Sequence, residues 1–295
     1  MTELVVLSEE VLAAIEEQRP AVALETTIVA HGFPAPDGLE VGLACDRAVR
    51  DAGAIPATIG VLDGTVRVGL TRAELERFTS DARKVGPRDL AACAVAGDIG
   101  ATTVGGVLTV AREVGIRFFA TGGIGGVHRG YPTPLDVSAD IPALASSPVL
   151  VACSGAKSLL DVPATMELLE TLGVPVLGYR TDAMPLFYSA TGGPAVPQRL
   201  EDVETAAEMA ATHWELGGSG LLLANPPPES IEVDALIDEA LAAATEQRVS
   251  GQAVTPFVLA FLHDRSGGRT REVNRELAIA NARLAGAVAV AFAAR

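Results

Sequence analysis

The chain has 295 residues, of which 49% are hydrophobic and only 4% aromatic, and its formal net charge is −15. That length and apolar share supply a core for one large α/β domain or two small ones and exclude global disorder. The acidic balance excludes the basic footprint of a nucleic-acid-binding surface, so an anionic ligand needs a local positive site.

In chain order, MTELVVLSEEVLAAIEEQRP carries acids where a secretory leader carries bases. No uninterrupted apolar run reaches the ~18 residues of a membrane helix. A cytoplasmic chain with no membrane partner is expected. Val22–Ala30 reads as a strand and Leu39–Ala52 as a helix. Pro56–Leu62 and Thr65–Val68 flank Asp63-Gly64, a hairpin signal. Thr71–Asp81 reads as a helix opened by a capping box, Thr71 with Glu74. Thr103–Val114 reads as a helix, followed by strands at Ile116–Ala120, Pro148–Ser154 and Val174–Tyr179, with a helix at Val162–Leu172 between the last two. Leu200–Leu216 is a predicted helix and Gly220–Ala224 a strand; Ser230–Gln247 and Arg271–Ala294 are Ala-rich helices. Strands alternating with helices give a mostly parallel sheet covered on both faces, and the hairpin makes it mixed. No linker or repeat divides residues 1–295, so a single domain is expected.

In such sheets ligands bind beyond the carboxyl ends of the strands, and the polar clusters fall there. Glu25 interrupts the apolar strand VALETTIVA, with His31-Gly32 after it. Burial would raise its pKa toward that of a general acid; an ion pair with a core arginine is the alternative. The chain has twenty arginines but only two lysines, Lys84 and Lys157. Arginine serves for generic surface charge, whereas lysine can lose its proton and attack a carbonyl. Lys157 follows VLVACSG at a strand end, where it could be a nucleophile or hold a phosphate. Lys84, in RKVGPRDLA before an apolar helix, suits an anion site. GGIGG at 122–126 weakly resembles a phosphate-binding loop, and His128 and Arg129 beside it strengthen that reading. Asp136 and Asp140, with Ser138 between, could hold a hard divalent ion or could be turn and cap residues. Cys45, Cys93 and Cys153 show no metal or redox spacing and read as core thiols; His213 and His263 read as structural.

The stretches VALETTIVAHGFPAPDG, KVGPRDLA, TTVGGVLTVAREVGIRFFATGGIGGVHRG, DVSADI, CSGAKSLLDVPATMELLETLGVPVLGY, NPPP, TPFVLA and NRELAIANARLA together resemble the pseudouridine-5′-phosphate glycosidase, or indigoidine synthase A-like, family from about residue 20 to residue 290. The resemblance implies a three-layer α/β/α domain, a homotrimer, and a carbon–oxygen lyase requiring one Mn²⁺ per subunit. The implied reaction splits pseudouridine 5′-phosphate reversibly into uracil and D-ribose 5-phosphate. On the family pattern Lys157 corresponds to the nucleophile, forming an imine, and Glu25 to the proton donor. Asp136 corresponds to the metal residue. Lys84, Val104, Ser138, Ala139 and Asp140 correspond to substrate-binding positions, and His128 and Asn281 to pocket residues. YPTPL, before Asp136, is the loosest match. Competing readings are a ribokinase-type sugar kinase, for which no G-A-G-D-like motif is present, and a class I aldolase, whose eightfold βα pattern does not accommodate the hairpin.

Overall fold

The computed structural model describes residues 4–129, 136–249 and 251–295; the YPTPL stretch lies outside them. The first half runs β1 (Val5–Leu7), α1 (Glu9–Glu16), β2 (Ala21–Glu25), α2 (Thr27–Ala30), α3 (Asp37–Asp51), the hairpin β3 (Ile55–Leu62) and β4 (Thr65–Val68), α4 (Arg72–Leu75), β5 (Arg83–Val85), α5 (Leu90–Ala96), β6 (Gly100–Thr102), α6 (Val104–Val114) and β7 (Phe118–Ala120). The second runs α7 (Asp140–Ser146), β8 (Leu150–Cys153), α8 (Val162–Thr171), β9 (Val176–Tyr179), β10 (Gln198–Leu200), α9 (Val203–Glu215), β11 (Leu221–Ala224), α10 (Asp234–Glu246), a 3₁₀ turn at Gly251–Ala253, α11 (Val254–Arg265) and α12 (Arg269–Ala293).

Among the described residues the strands form one 11-stranded sheet in the order β1-β4-β3-β2-β7-β8-β11-β9-β10, with β6 and β5 branching from β3. The β3–β4 and β3–β6 pairs are antiparallel and the others parallel. This is the expected mixed α/β/α architecture. Every residue of β2, β3, β8 and β11 is buried, as strands covered on both faces require. Among the described residues α12 is the one helix long and apolar enough to cross a membrane, yet half of its most apolar window is buried. It packs on α3, α9, β2, β7 and β8, so its apolar surface belongs to the core. Gly286 lets it approach α3; an added Cβ would lie 2.8 Å from that of Ala52.

Three expectations are corrected. The strand from Val22 stops at Glu25 rather than Ala30. Thr26 is helical, donates to the Ile59 carbonyl at 2.9 Å and accepts from the Thr102 amide at 2.8 Å, which turns the chain out of the sheet. Val29 and Ala30 then serve a second core cluster with Leu62, Leu70, Leu75 and Phe78. The Thr71 capping box forms, but its helix ends at Leu75, because the next turn tightens to bury Phe78 against Gly60. Gln198–Leu200 is an edge strand on β9 rather than the start of a helix; α9 begins after its cap Asp202.

Candidate active site

Glu25 is the last residue of β2 and is 8% exposed. The β2–β7 register pairs Leu24 with Ala120, which sets Glu25 beside Thr121. The Thr121 hydroxyl donates to Oε1 of Glu25 and the Thr27 hydroxyl to Oε2. The carboxylate is therefore held by neutral donors and not by the arginine that an ion-pair reading requires. β8 lies on the other side of β7. Beyond its end the chain is stitched to the glycine stretch: Ser154 donates its amide to Gly122, Ile124 to Gly155 at 3.0 Å and Lys157 to Ile124 at 3.1 Å. Gly155 has φ +80°, and a Cβ there would lie 1.9 Å from the Pro185 carbonyl oxygen, so only glycine can make this turn.

Glu25, Lys84 and Lys157 line one cavity of about 500 Å³, together with Val104, His128, Asp136, Ser138, Ala139 and Asp140. Lys84 projects from β5; burial, and then the Lys157 charge, push it down to about 8. At neutral pH it remains mostly an ammonium, able to hold an anion. His128 is pushed down by burial and, against that, raised by Asp136, whose Oδ2 lies 3.8 Å from its Nδ1.

Much of the glycine stretch is committed to the protein itself. The Gly125 amide donates to Asp140, Val127 to Thr165 and His128 to Asp136. Its glycines instead admit side chains: the Phe187 ring against Gly123, Ser138 against Gly125 and Thr165 against Gly126. Arg129 leaves the anion reading, since it pairs with Asp238 at 2.9 Å and donates to the Ser158 carbonyl. At the start of α6, Gly105 donates to Asp140 and Gly106 to Thr103. Val104, first in that helix, lines the cavity with an amide that neither of these acceptors takes.

The two aspartates separate in role. Asp140 is 5% exposed, and its two oxygens accept from Gly105 and Gly125, each at 2.8 Å, tying α6 to the glycine stretch. Both oxygens are thus engaged in holding backbone amides. Among the described residues no group of three His, Cys, Asp or Glu side chains could enclose a metal. Asp136, half-buried beside His128, fits a hard ion that keeps most of its positions for water.

Asn281 does not line the cavity. It is fully buried, donates to the Thr121 carbonyl at 2.8 Å and to Ser154, and accepts from Asn225. Asn274, seven residues earlier on α12, lines the cavity instead and was not singled out; the spacing of two buried amides on one apolar helix was the available signal. Phe187 was also missed. It lines the cavity with φ +64°, a left-handed conformation rare for an aromatic residue, and no local motif announces it. His31 and Thr27 complete the wall near Glu25 and Lys84.

The model of indigoidine synthase A-like proteins matches residues 10–291. This chain belongs to the indigoidine synthase A-like family. Among its relatives, a pseudouridine-5′-phosphate glycosidase of Myxococcus xanthus is 48% identical over 97% of both chains, and one of Geobacillus kaustophilus is 44% identical with the same coverage. The crystal structure of the prealnumycin C-glycosynthase AlnA, in complex with ribulose 5-phosphate, superposes with a TM-score of 0.90 at 39% identity, covering 100% of this chain and 98% of that one. An indigoidine synthase A-like protein of Thermotoga maritima superposes with a TM-score of 0.88 at 37% identity, covering 98% and 97%. The family fold is thus an open mixed sheet, not the closed barrel of an aldolase.

Proposed function

We propose that this chain cleaves the carbon–carbon glycosidic bond of pseudouridine 5′-phosphate to uracil and D-ribose 5-phosphate, and can run in reverse. The observation that carries the reading is the meeting of Glu25, Lys84 and Lys157 on one cavity in a chain 48% identical to a protein of that name. The cavity volume suits a nucleoside monophosphate.

The chemistry follows from the bond. A carbon-linked base offers no leaving heteroatom for the acid of an ordinary two-carboxylate glycosidase. In this reading Glu25 protonates the ribose ring oxygen and the C1′–O4′ bond opens. The Lys157 amine bonds to C1′. The ammonium nitrogen so formed gives up a proton, which reaches C5 of the base as the C1′–C5 bond breaks; the freed nitrogen lone pair forms the C1′=N bond, and uracil leaves. Water adds to the iminium, returning the lysine amine and the aldehyde of ribose 5-phosphate. Lys84 and the Val104 amide hold the phosphate, with Ser138 and Ala139 beside it. Asp136 would hold Mn²⁺, with His128 next to it. When bound, such an ion orders and polarises water beside the base. A homotrimer acting in the cytoplasm, with residues 1–295 as one domain, belongs to the same reading.

The test is incubation of the purified protein with pseudouridine 5′-phosphate and Mn²⁺, with uracil and ribose 5-phosphate quantified against an EDTA-treated control. Metal-dependent release of both is expected. AlnA supports a second reading, coupling of a pentose phosphate to another carbon acceptor. No uracil with any divalent ion, together with carbon-glycoside formation from ribose 5-phosphate and an aromatic acceptor, would select it.

A further inference from the structure

Asn281, on α12, is fully buried and has no part in the scheme above. Its side chain meets the first residue beyond each of three neighbouring strands. Thr121 follows β7, Ser154 follows β8 and Asn225 follows β11, and these strands are consecutive in the sheet. The Asn281 nitrogen donates to the Thr121 carbonyl at 2.8 Å and to the Ser154 hydroxyl at 3.2 Å, with the Gly122 carbonyl at 3.4 Å. Its oxygen accepts from the Asn225 amide at 2.9 Å. Two backbone carbonyls face the nitrogen, which fixes the orientation of the amide, and both of its polar ends are engaged.

The backbone already joins these strand ends. The Thr121 amide donates to Ala152 at 3.1 Å, Ser154 to Gly122 at 2.9 Å and Asn225 to Cys153 at 2.8 Å. A buried side-chain amide is costly, and when fully satisfied it rigidifies what it holds. What it holds here leads to the two reacting groups.

We infer that Asn281 is a positioning residue for the proposed reaction, fixing the Glu25 carboxyl relative to the turn that carries Lys157. The inference rests on the reading that these two residues act on one substrate. Toward the acid, Asn281 grips the Thr121 carbonyl while the Thr121 hydroxyl donates to Oε1 of Glu25. A shift of the Thr121 backbone would carry that hydroxyl with it. Toward the nucleophile, Ser154 opens the turn Ser154-Gly155-Ala156 that leads into Lys157. The Ser154 carbonyl also accepts the amide of Phe187, a residue of the cavity wall, at 3.0 Å. Lys84 on β5 and Val104 on α6 lie on neither path. A misplacement of about 1 Å can cost about a hundredfold in rate. Loss of Asn281 should therefore slow the chemical step and spare phosphate affinity.

The experiment is a double-mutant cycle in the full-length protein. Uracil release from pseudouridine 5′-phosphate with Mn²⁺ is measured in wild type, Asn281→Leu, Thr121→Val and the double variant, each shown to be folded by its melting curve. Leucine occupies similar space and removes the donors and the acceptor. We expect Asn281→Leu to lower kcat about thirtyfold with KM within about threefold, but to lower it only about threefold further where Thr121 is already valine, because the share transmitted through Thr121 has gone. A residue that merely supports the fold would give losses that multiply, and that result would overturn the inference. So would a kcat for Asn281→Leu within about threefold of wild type. If Asn281→Leu does not fold, Ser154→Ala takes its place, removing one acceptor with little change of volume; coupling to Thr121→Val of at least about threefold is expected, and its absence overturns the inference. If the wild type releases no uracil, the proposed reaction fails by itself, and the cycle is repeated on the rate at which borohydride fixes ribose 5-phosphate to Lys157. Coupled losses there support the inference and multiplying losses overturn it. A wild type that neither releases uracil nor becomes labelled overturns both.

Discussion

Thr121 donates its hydroxyl to Oε1 of Glu25 across the β7–β2 pair, and Thr27 holds the other oxygen. Two fixed donors stop the carboxyl from rotating, so on the proposed reading it faces the substrate in one orientation. Thr121→Val keeps the shape and removes one donor. We expect kcat to fall about tenfold with KM within about twofold, and Thr121→Ser to restore most of the rate. A change confined to KM would mean that Thr121 holds substrate rather than Glu25.

Lys157 is clipped by its own backbone amide to Ile124, so its side chain can be removed without releasing the loop. Lys157→Ala should lose at least about a thousandfold in kcat and melt within a few degrees of wild type. Borohydride reduction with ribose 5-phosphate should attach a pentose phosphate to the Lys157 peptide. Labelling at Lys84 instead would exchange the roles of the two lysines.

Lys84 gives a pH dependence of definite sign. Its ammonium persists below about 8 and is lost above it. Attraction for phosphate is therefore present at neutral pH and fades as pH rises through that value. Since the phosphate is already dianionic there, KM should climb by up to about tenfold per pH unit above 8. Lys84→Met should raise KM at pH 7 by roughly thirtyfold or more and flatten that climb. A KM profile that stays steep in Lys84→Met would locate the titrating group elsewhere.

Much of this site was legible because its residues lie in or close after short apolar strands, Glu25 ending β2, Lys84 within β5 and Lys157 in the loop after β8. Glu25 interrupts an apolar run, and Lys84 and Lys157 stand out in a chain that otherwise uses arginine. Their convergence depends on strand order, which local pattern does not encode: β2, β7 and β8 are neighbours in space although α3 to α6 intervene between the first two in the chain. The glycine stretch is ambiguous in sequence for a physical reason. Close approach of a phosphate and close approach of Phe187, Ser138 or Thr165 impose the same demand for a missing Cβ. Asn281 and Asn274 look alike in sequence, and only the tertiary packing of α12 assigns one to backbone carbonyls and the other to the cavity.

The two aspartates supply the sharpest separation of structure from metal binding. Asp140 accepts from Gly105 and Gly125 with its two oxygens, so Asp140→Asn turns one acceptor into a donor facing a backbone amide. Leaving a buried donor unpaired costs about 1–3 kcal/mol, which for a domain of this size lowers Tm by roughly 2–5 °C. The start of α6 should shift with it, raising KM through Val104. The Mn²⁺ concentration that half-restores activity to the EDTA-treated protein should stay within about twofold of wild type, since both Asp140 oxygens hold backbone amides. Asp136→Asn should do the reverse: Tm nearly unchanged, because its carboxylate is half-buried and pairs with His128 among the described residues, and, on the proposed reading, a metal requirement raised at least about tenfold by loss of a charged ligand. Melting curves and metal titrations on the two variants make the comparison. An equal metal defect in both would return the two carboxylates to a shared ion and show that the clasp on α6 opens when metal binds.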